Sequence, residues 1–150
     1  MCAVAGFDGQ IFLIEMVVTY IFVAVILTNN YNWGSTELYI NAMANGLTLF
    51  GMLVLAADVS GGCMNPAVGI AQLIFQQKMA ESYPNSFEGK KLSLEPMWLY
   101  IMGPMCGGIL AGLWKHYNTQ VILEQIEAAK LEELEGKAEE LKLHQFEHKS

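Results

Sequence analysis

The sequence predicts an all-α integral membrane protein with three transmembrane helices, one re-entrant half-helix and a soluble C-terminal helix. Hydrophobic residues make up 53% of the 150-residue chain and charged residues only 15%, a composition typical of membrane proteins. The charge is concentrated at one end, because residues 119–150 contain eight Glu and four Lys. We therefore divide the chain into a membrane domain, 1–118, and an acidic helical tail, 119–150.

Three apolar segments predict the membrane spans, since each is close to the ~20 residues that a helix needs to cross the hydrocarbon core. They lie at about residues 11–28, 39–57 and 97–117. The first span contains one charged residue, Glu15. An ionisable group inside a span needs partners, and we interpret Glu15 as a structural carboxyl bonded to the backbone of a nearby broken helix.

Small and aromatic residues predict how the spans pack and where they leave the membrane. On the third span Gly103, Gly107 and Ala111 fall on one face, which predicts close approach of another helix. Tyr and Trp side chains prefer the membrane interface. The aromatic residues that we place there are Tyr31, Trp33, Trp98, Tyr100, Trp114 and Tyr117.

The segment from Ser60 to Gly69 predicts the start of a short helix. Asn65 is a favourable N-cap, and Pro66 suits the first helical position because its missing N–H is not needed there. The apolar stretch 66–77 would span about 18 Å as a helix, against a hydrocarbon core of about 30 Å. This predicts a half-helix that starts inside the membrane, where its end lines a cavity.

Composition excludes several classes of function. The chain has no arginine, and its eight basic residues are all lysines, which argues against nucleic-acid binding and against a mitochondrial presequence. The cysteines show neither metal-ligand spacing nor a disulfide framework, and the histidines form no ligand set. We find no nucleophile–base pair and no phosphate-binding loop, so we expect no enzyme activity, no metal and no cofactor.

At three places the sequence resembles the second half of an aquaporin, a member of the major intrinsic protein family. Glu15, followed by Thr19 and Tyr20, is similar to the E-x-x-x-T-F/Y pattern of the family. Residues 46–67 are similar to the fifth helix and the loop with the second Asn-Pro-Ala box, and residues 98–111 to the sixth helix. The resemblance covers about residues 10–118.

The resemblance implies a fold of two inverted three-helix repeats, whose two Asn-Pro-Ala boxes meet at the membrane midplane. In this chain the box is Asn65, Pro66 and Ala67. The asparagine would donate to a passing water or glycerol molecule, and the positive ends of the half-helices would repel cations. Glu15 would brace the broken loop instead of lining the pore.

Three filter positions depart from the family pattern. Val68 stands where the family normally carries an arginine, Leu53 where water-selective members carry a histidine, and Gly62 at the third filter position of this half. Two interpretations remain open. Either the pore is wider or more apolar and passes another neutral solute, or conduction is lost and the fold is kept for packing.

Three spans do not enclose the pore of the family, so we expect the chain to pair with a first-half homologue, a second copy or another membrane complex. The function we predict is that of a degenerate half-channel, a structural or accessory subunit that does not conduct on its own, with a tail that docks to a protein. A split water- or glycerol-type channel is the alternative. A fragment of a longer channel is the third.

Orientation and location follow weaker signals. Family topology would place the tail in the cytoplasm and the loop 77–96 outside. The loop contains three lysines, Lys78, Lys90 and Lys91, whereas Lys115 lies near the tail. Because basic residues near spans favour the cytoplasmic side, the lysines indicate the opposite orientation. We expect a multi-pass membrane protein in contact with lipid, and the inferred assembly suggests the mitochondrial inner membrane.

Overall fold

The computed structural model describes residues 8–30, 38–83 and 94–147, and within them it contains helices and no strand. The four helices are α1 (Asp8–Asn30), α2 (Leu38–Ala56), α3 (Pro66–Ser82) and α4 (Met97–Glu147). The predicted all-α fold is confirmed. The predicted connection with Tyr31 and Trp33 lies outside the described residues, as do Lys90 and Lys91.

Helices α1, α2 and α4 are long and apolar enough to cross a membrane, by length and composition. A helix suits this environment because it satisfies its own backbone hydrogen bonds where no water is available. The helix α3 is shorter, at 17 residues, and follows directly on an irregular turn. Three potential spans and one short helix after a turn are the elements that the sequence predicts.

The helix α3 continues beyond the predicted end at residue 77, because it runs to Ser82 and closes with a bond from the Tyr83 N–H to the Met79 carbonyl (2.8 Å). The apolar part of the sequence stops at Gln76, but Gln and Lys are favourable helix formers, so the helix does not stop with it. At ~1.5 Å per residue the helix is about 25 Å long.

The third predicted span and the tail belong to one helix, α4, which has 51 residues and contains Pro104. The chain divides into two compact units, Met1–Lys115 and His116–Ser150. The second unit consists of the distal part of α4 where it is described, and an exposed pair between Glu133 and Lys137 (2.6 Å) lies along it. Its exposed large apolar side chains are Tyr117, Leu123, Ile126, Leu131 and Leu134.

Two buried clusters hold the first unit together. One joins α1, the turn, α3 and α4 through Ile11, Cys63, Leu73, Leu99 and Tyr100. The other joins α1, α2 and the turn through Val18, Ala56 and Met64. Because each cluster includes a residue of the turn before α3, packing fixes this turn from several helices at once.

A polar contact joins α1 and α2 away from these clusters. The Asn29 Nδ2 donates to the Asn45 Oδ1 at 2.8 Å, and the Asn41 Nδ2 donates to the Asn29 carbonyl at 3.4 Å. Hydrogen bonds between side chains of neighbouring helices are a common means of association in membranes.

The aromatic residues of α4 do not all lie at an interface. Trp98, Trp114 and Tyr117 are exposed, as residues of an interfacial belt are expected to be. Tyr100 is different, because its side chain is 0% exposed. The prediction that Tyr100 marks the interface is therefore wrong, since its ring fits against Gly69 and its hydroxyl has a partner inside the protein.

Candidate functional site

The turn between α2 and α3 has an unusual backbone. The Ala56 carbonyl accepts from the N–H groups of Ser60 and Gly61, at 2.9 Å and 3.0 Å, which closes the end of α2. Gly61 and Gly62 then take positive φ angles of 86° and 68°, which glycine adopts without steric cost. Met64 also has a positive φ, 49°, which other residues adopt only under strain of about 1–3 kcal/mol, so its surroundings must enforce it.

Glu15 on α1 holds Met64 in this conformation through hydrogen bonds to the turn. Its Oε1 accepts from the Ser60 hydroxyl (2.6 Å) and the Cys63 N–H (2.9 Å), and its Oε2 accepts from the Met64 N–H (2.8 Å). The Glu15 side chain is 0% exposed. Without the Glu15 carboxylate, the Ser60 hydroxyl and the N–H groups of Cys63 and Met64 would be left unpaired in a dry interior, at a cost of roughly 1–3 kcal/mol each.

Ser60 connects this network to α4. Its hydroxyl accepts from the Gly62 N–H at 3.2 Å while donating to Glu15, and its backbone carbonyl accepts from the Tyr100 hydroxyl at 2.8 Å. Ser60 and Tyr100 are both fully buried. The turn is thus bonded to α1 through one atom of Ser60 and to α4 through another.

Asn65 caps α3 in an extended conformation, and its Oδ1 accepts from the Ala67 N–H at 2.9 Å. Pro66 occupies the first helical position. Since the oxygen of the Asn65 amide accepts the cap bond, its Nδ2 takes no part in capping the helix. The Asn65 side chain is exposed, so this donor group is available at the surface of the chain.

A seam of small residues brings α4 against α1 beside the Glu15 network. A Cβ on Gly103 would lie 3.0 Å from the Glu15 Cβ, and a Cβ on Gly107 would overlap the Met16 carbonyl oxygen. Ala111, the third residue of the face, is fully buried. Thr19 lies against Gly107, and its hydroxyl is buried without a hydrogen-bond partner among the described residues.

The described ranges contain no group of three or more His, Cys, Asp or Glu side chains that could hold a metal ion. Cys63 is buried and forms no disulfide, and its thiol donates to the Gln72 Oε1 at 3.8 Å, while Cys106 is a half-buried thiol on α4. The polar groups near α3 therefore bond the turn and cap the helix, and their arrangement is suited to holding one amide donor at a helix start.

The sequence model of the major intrinsic proteins matches residues 3–115 of the chain. The chain belongs to the major intrinsic protein family. Membership of this family, together with three helices apolar enough to span a membrane, indicates an integral multi-pass membrane protein.

Two curated relatives agree with this assignment. Glycerol uptake facilitator protein-like 6 of Lactiplantibacillus plantarum is 32% identical over 105 residues, which cover 69% of this chain and 42% of the relative. Aquaporin NIP1-1 of Oryza sativa subsp. japonica is 29% identical over 115 residues, which cover 75% of this chain and 34% of the relative. The chain thus spans less than half the length of these relatives. No solved structure gives a significant match.

The three residues that the sequence predicts at altered filter positions lie on α2, in the turn and at the start of α3. Val68 and Leu53 are 39% and 38% exposed. Gly62 is buried against Leu53, because a Cβ at this glycine would lie 3.3 Å from the Leu53 Cα and Cδ2. Two apolar side chains and a glycine provide no side-chain hydrogen-bonding group at these positions.

The sequence singles out Glu15 and Asn65, but it does not identify Ser60 and Tyr100 as residues bonded in the network around Glu15. Ser60 stands in a turn, where a serine is common and carries no periodic signal. Tyr100 stands near the start of a span, where a tyrosine resembles an interfacial residue. The sequence feature that points to the buried position of Tyr100 is Gly69, since a glycine inside a helix indicates close contact with a neighbouring element.

Proposed function

We propose that this chain is a structural half of a channel-type fold, an accessory subunit of a membrane complex that does not conduct on its own. The observation that carries the proposal is the combination of a turn braced by buried hydrogen bonds with predicted filter positions that carry no polar side chain. Glu15 and Ser60 retain the bonds that brace the turn. Val68 and Leu53, in contrast, present aliphatic groups where a selective pore needs donors.

The capped end of α3 supports the proposal of a partner. Asn65, Ala67 and Val68 are exposed in this chain, beside the first backbone N–H groups of the helix. Polar groups of this kind inside a bilayer need protein or a water-filled cavity next to them, because lipid offers no hydrogen bonds. We propose that a complementary half-channel, a second copy or another membrane subunit covers this end.

We further propose that the acidic tail docks to a protein. Leu131 and Leu134 are exposed on the distal part of α4, among glutamates. A helix with exposed leucines and flanking acidic groups suits a partner groove with an apolar floor and basic rims. The inferred assembly also leads us to propose the mitochondrial inner membrane as its location, which fractionation of the source cells tests directly.

A split channel is the second candidate, and the Asn65 amide favours it. The cap holds the Asn65 Oδ1 on the Ala67 N–H, which leaves the Nδ2 free to donate to a small neutral solute. A chain kept for packing alone has no evident need for this donor. The name of the bacterial relative makes glycerol a reasonable solute to test.

Permeability decides between the two candidates. We expect proteoliposomes of the chain, both alone and reconstituted with the partner that co-purifies from its source membrane, to show water and glycerol permeabilities equal to those of empty vesicles, measured by stopped-flow light scattering. Permeability above this background that Asn65→Asp lowers, and that the matched amide change Gln120→Glu on exposed α4 does not, would contradict the structural role and support the split channel.

Native size tests the subunit role separately. In mild detergent we expect the chain from its source membrane to migrate well above its own 16.6 kDa, with a partner that can be identified by mass spectrometry. A lone monomer would contradict the accessory-subunit proposal whatever the result of the swelling assay.

A further inference from the structure

Tyr100 contacts both ends of the segment that carries Asn65. Its hydroxyl donates to the Ser60 carbonyl at 2.8 Å, before the glycines of the turn. Its ring lies against Gly69 in the first turns of α3, so closely that a Cβ on Gly69 would be 2.7 Å from the Tyr100 Cβ. The side chain is completely buried, which holds both contacts in one geometry.

The segment between these two contacts needs bonds from neighbouring helices to hold its backbone in one conformation. It contains three residues in the left-handed region, Gly61, Gly62 and Met64, and two of them are glycines with wide backbone freedom. Glu15 holds the middle of the segment through Cys63 and Met64. The Tyr100 hydroxyl adds a bond from a second helix at its start, and the Tyr100 ring adds a contact after its end.

We propose that Tyr100 is a positioning residue that sets the place of Asn65 at the start of α3, with its hydroxyl fixing the turn and its ring fixing the helix. This inference rests on the proposed function in one respect, because it treats Asn65 as the group that meets a partner or a solute. The two contacts can be separated experimentally, since Tyr100→Phe removes the hydroxyl and keeps the ring.

Thiol labelling of the full chain in mild detergent tests the hydroxyl. Cys63 lies in the turn and is only 5% exposed, so its labelling rate reports opening of the turn. The labelling rate of Cys106 on α4 provides an internal reference. In a Cys2→Ser background, we expect Tyr100→Phe to label at Cys63 about fivefold faster, the equivalent of one ordinary hydrogen bond, with Cys106 unchanged. The matched control Tyr117→Phe makes the same change on the exposed part of the same helix and should leave both rates unchanged.

A spectroscopic readout separates positioning from general stabilisation. The Ala67 amide donates to the Asn65 Oδ1, so its NMR resonance reports the geometry of the cap. We expect Tyr100→Phe to shift this resonance while the midpoint of thermal unfolding changes little, because the ring still fills its site. Gly69→Ala, which displaces the ring and leaves the hydroxyl, should shift the Ala67 resonance as well.

Several outcomes would overturn the inference. An unchanged Cys63 rate with an unchanged Ala67 resonance in Tyr100→Phe removes the hydroxyl from any positioning role. Equal acceleration at Cys63 and Cys106, with a large drop in the unfolding midpoint, indicates general destabilisation and overturns it too. None of these measurements uses a partner or a solute, so their failure is distinguishable from failure of the proposed function.

Discussion

Glu15 is the single residue on which the turn before α3 depends most. Its two oxygens accept from Ser60, Cys63 and Met64 in a site with no exposure. Removing the carboxyl in Glu15→Ala leaves these donors buried, at roughly 1–3 kcal/mol each, so we expect the free energy of unfolding to fall by at least about 3 kcal/mol. Thermal unfolding in mild detergent, followed by tryptophan fluorescence, measures the change.

The matched control for this change is Glu81→Ala. Glu81 pairs with Lys78 at 3.0 Å, and both side chains are exposed, so the pair contributes about 0–1 kcal/mol. A similar loss of stability in the two variants would contradict the role of the buried network.

Residues differ in how far the sequence reveals them. A carboxyl inside an apolar span has to find partners, so Glu15 could be singled out from its position alone. Its partner Ser60 could not, because a serine in a turn has many possible bonds. The sequence predicts an interfacial Tyr100 because the preference of aromatic residues for the interface depends on distance from the end of a span. Burial depends instead on the space that the neighbouring helix leaves. Gly69 leaves that room, and only the packed structure shows it.

At the scale of elements, the contact between α1 and α4 depends on one glycine face. A Cβ on Gly107 would overlap backbone of α1, whereas a Cβ on the next residue, Gly108, would meet nothing within 4 Å. We expect Gly107→Ala to destabilise the first unit by about 1–3 kcal/mol, the usual effect of overpacking. Gly108→Ala should be neutral or stabilising, since alanine is the better helix former by ~1 kcal/mol.

This comparison uses the same chemical change at adjacent positions, so thermal unfolding of the two variants is directly informative. Equal midpoints would contradict the packing of α1 on α4 through Gly107.

The contact between α1 and α2 includes a side-chain hydrogen bond, from Asn29 to Asn45 at 2.8 Å. Such bonds in membrane proteins contribute about 0.6 kcal/mol on average and at most about 1.7 kcal/mol. We expect a double-mutant cycle of Asn29→Ala and Asn45→Ala to give a coupling energy in this range. A coupling near zero would mean that the bond does not contribute to stability.

Elements are predictable where hydropathy and helix formation agree. The starts of α3 and α4 follow from the Asn65–Pro66 cap and from the apolar residues after Pro96. The end of α3 was missed because Gln76, Gln77 and Lys78 end the apolar stretch but continue the helix. No helix-breaking residue separates the predicted third span from the tail, so α4 continues through both.

At the scale of the whole membrane unit, the direction of α3 distinguishes a re-entrant helix from a fourth span. Its length of about 25 Å does not distinguish the two, because it approaches the thickness of about 30 Å that a span must cross. The contacts of α3 show its direction. The residue before its cap, Met64, bonds Glu15, while Leu73 further along packs with Ile11 and Leu99. Since Ile11 and Leu99 lie near the starts of α1 and α4, α3 runs back toward the side where those helices begin.

Re-entry predicts which residues share a face of the membrane. We expect Asp58→Cys and Glu81→Cys to react with an impermeant maleimide from one side in intact cells, and Leu38→Cys from the other, in a background without the native cysteines. The reason is that α2 carries the chain across from Leu38 to the turn, and α3 returns it to the side of Asp58. If α3 crossed instead, Glu81 would label with Leu38, and the half-helix fold would be wrong. Asp58, which precedes α3, provides the reference that keeps this test independent of how the protein is oriented in the membrane.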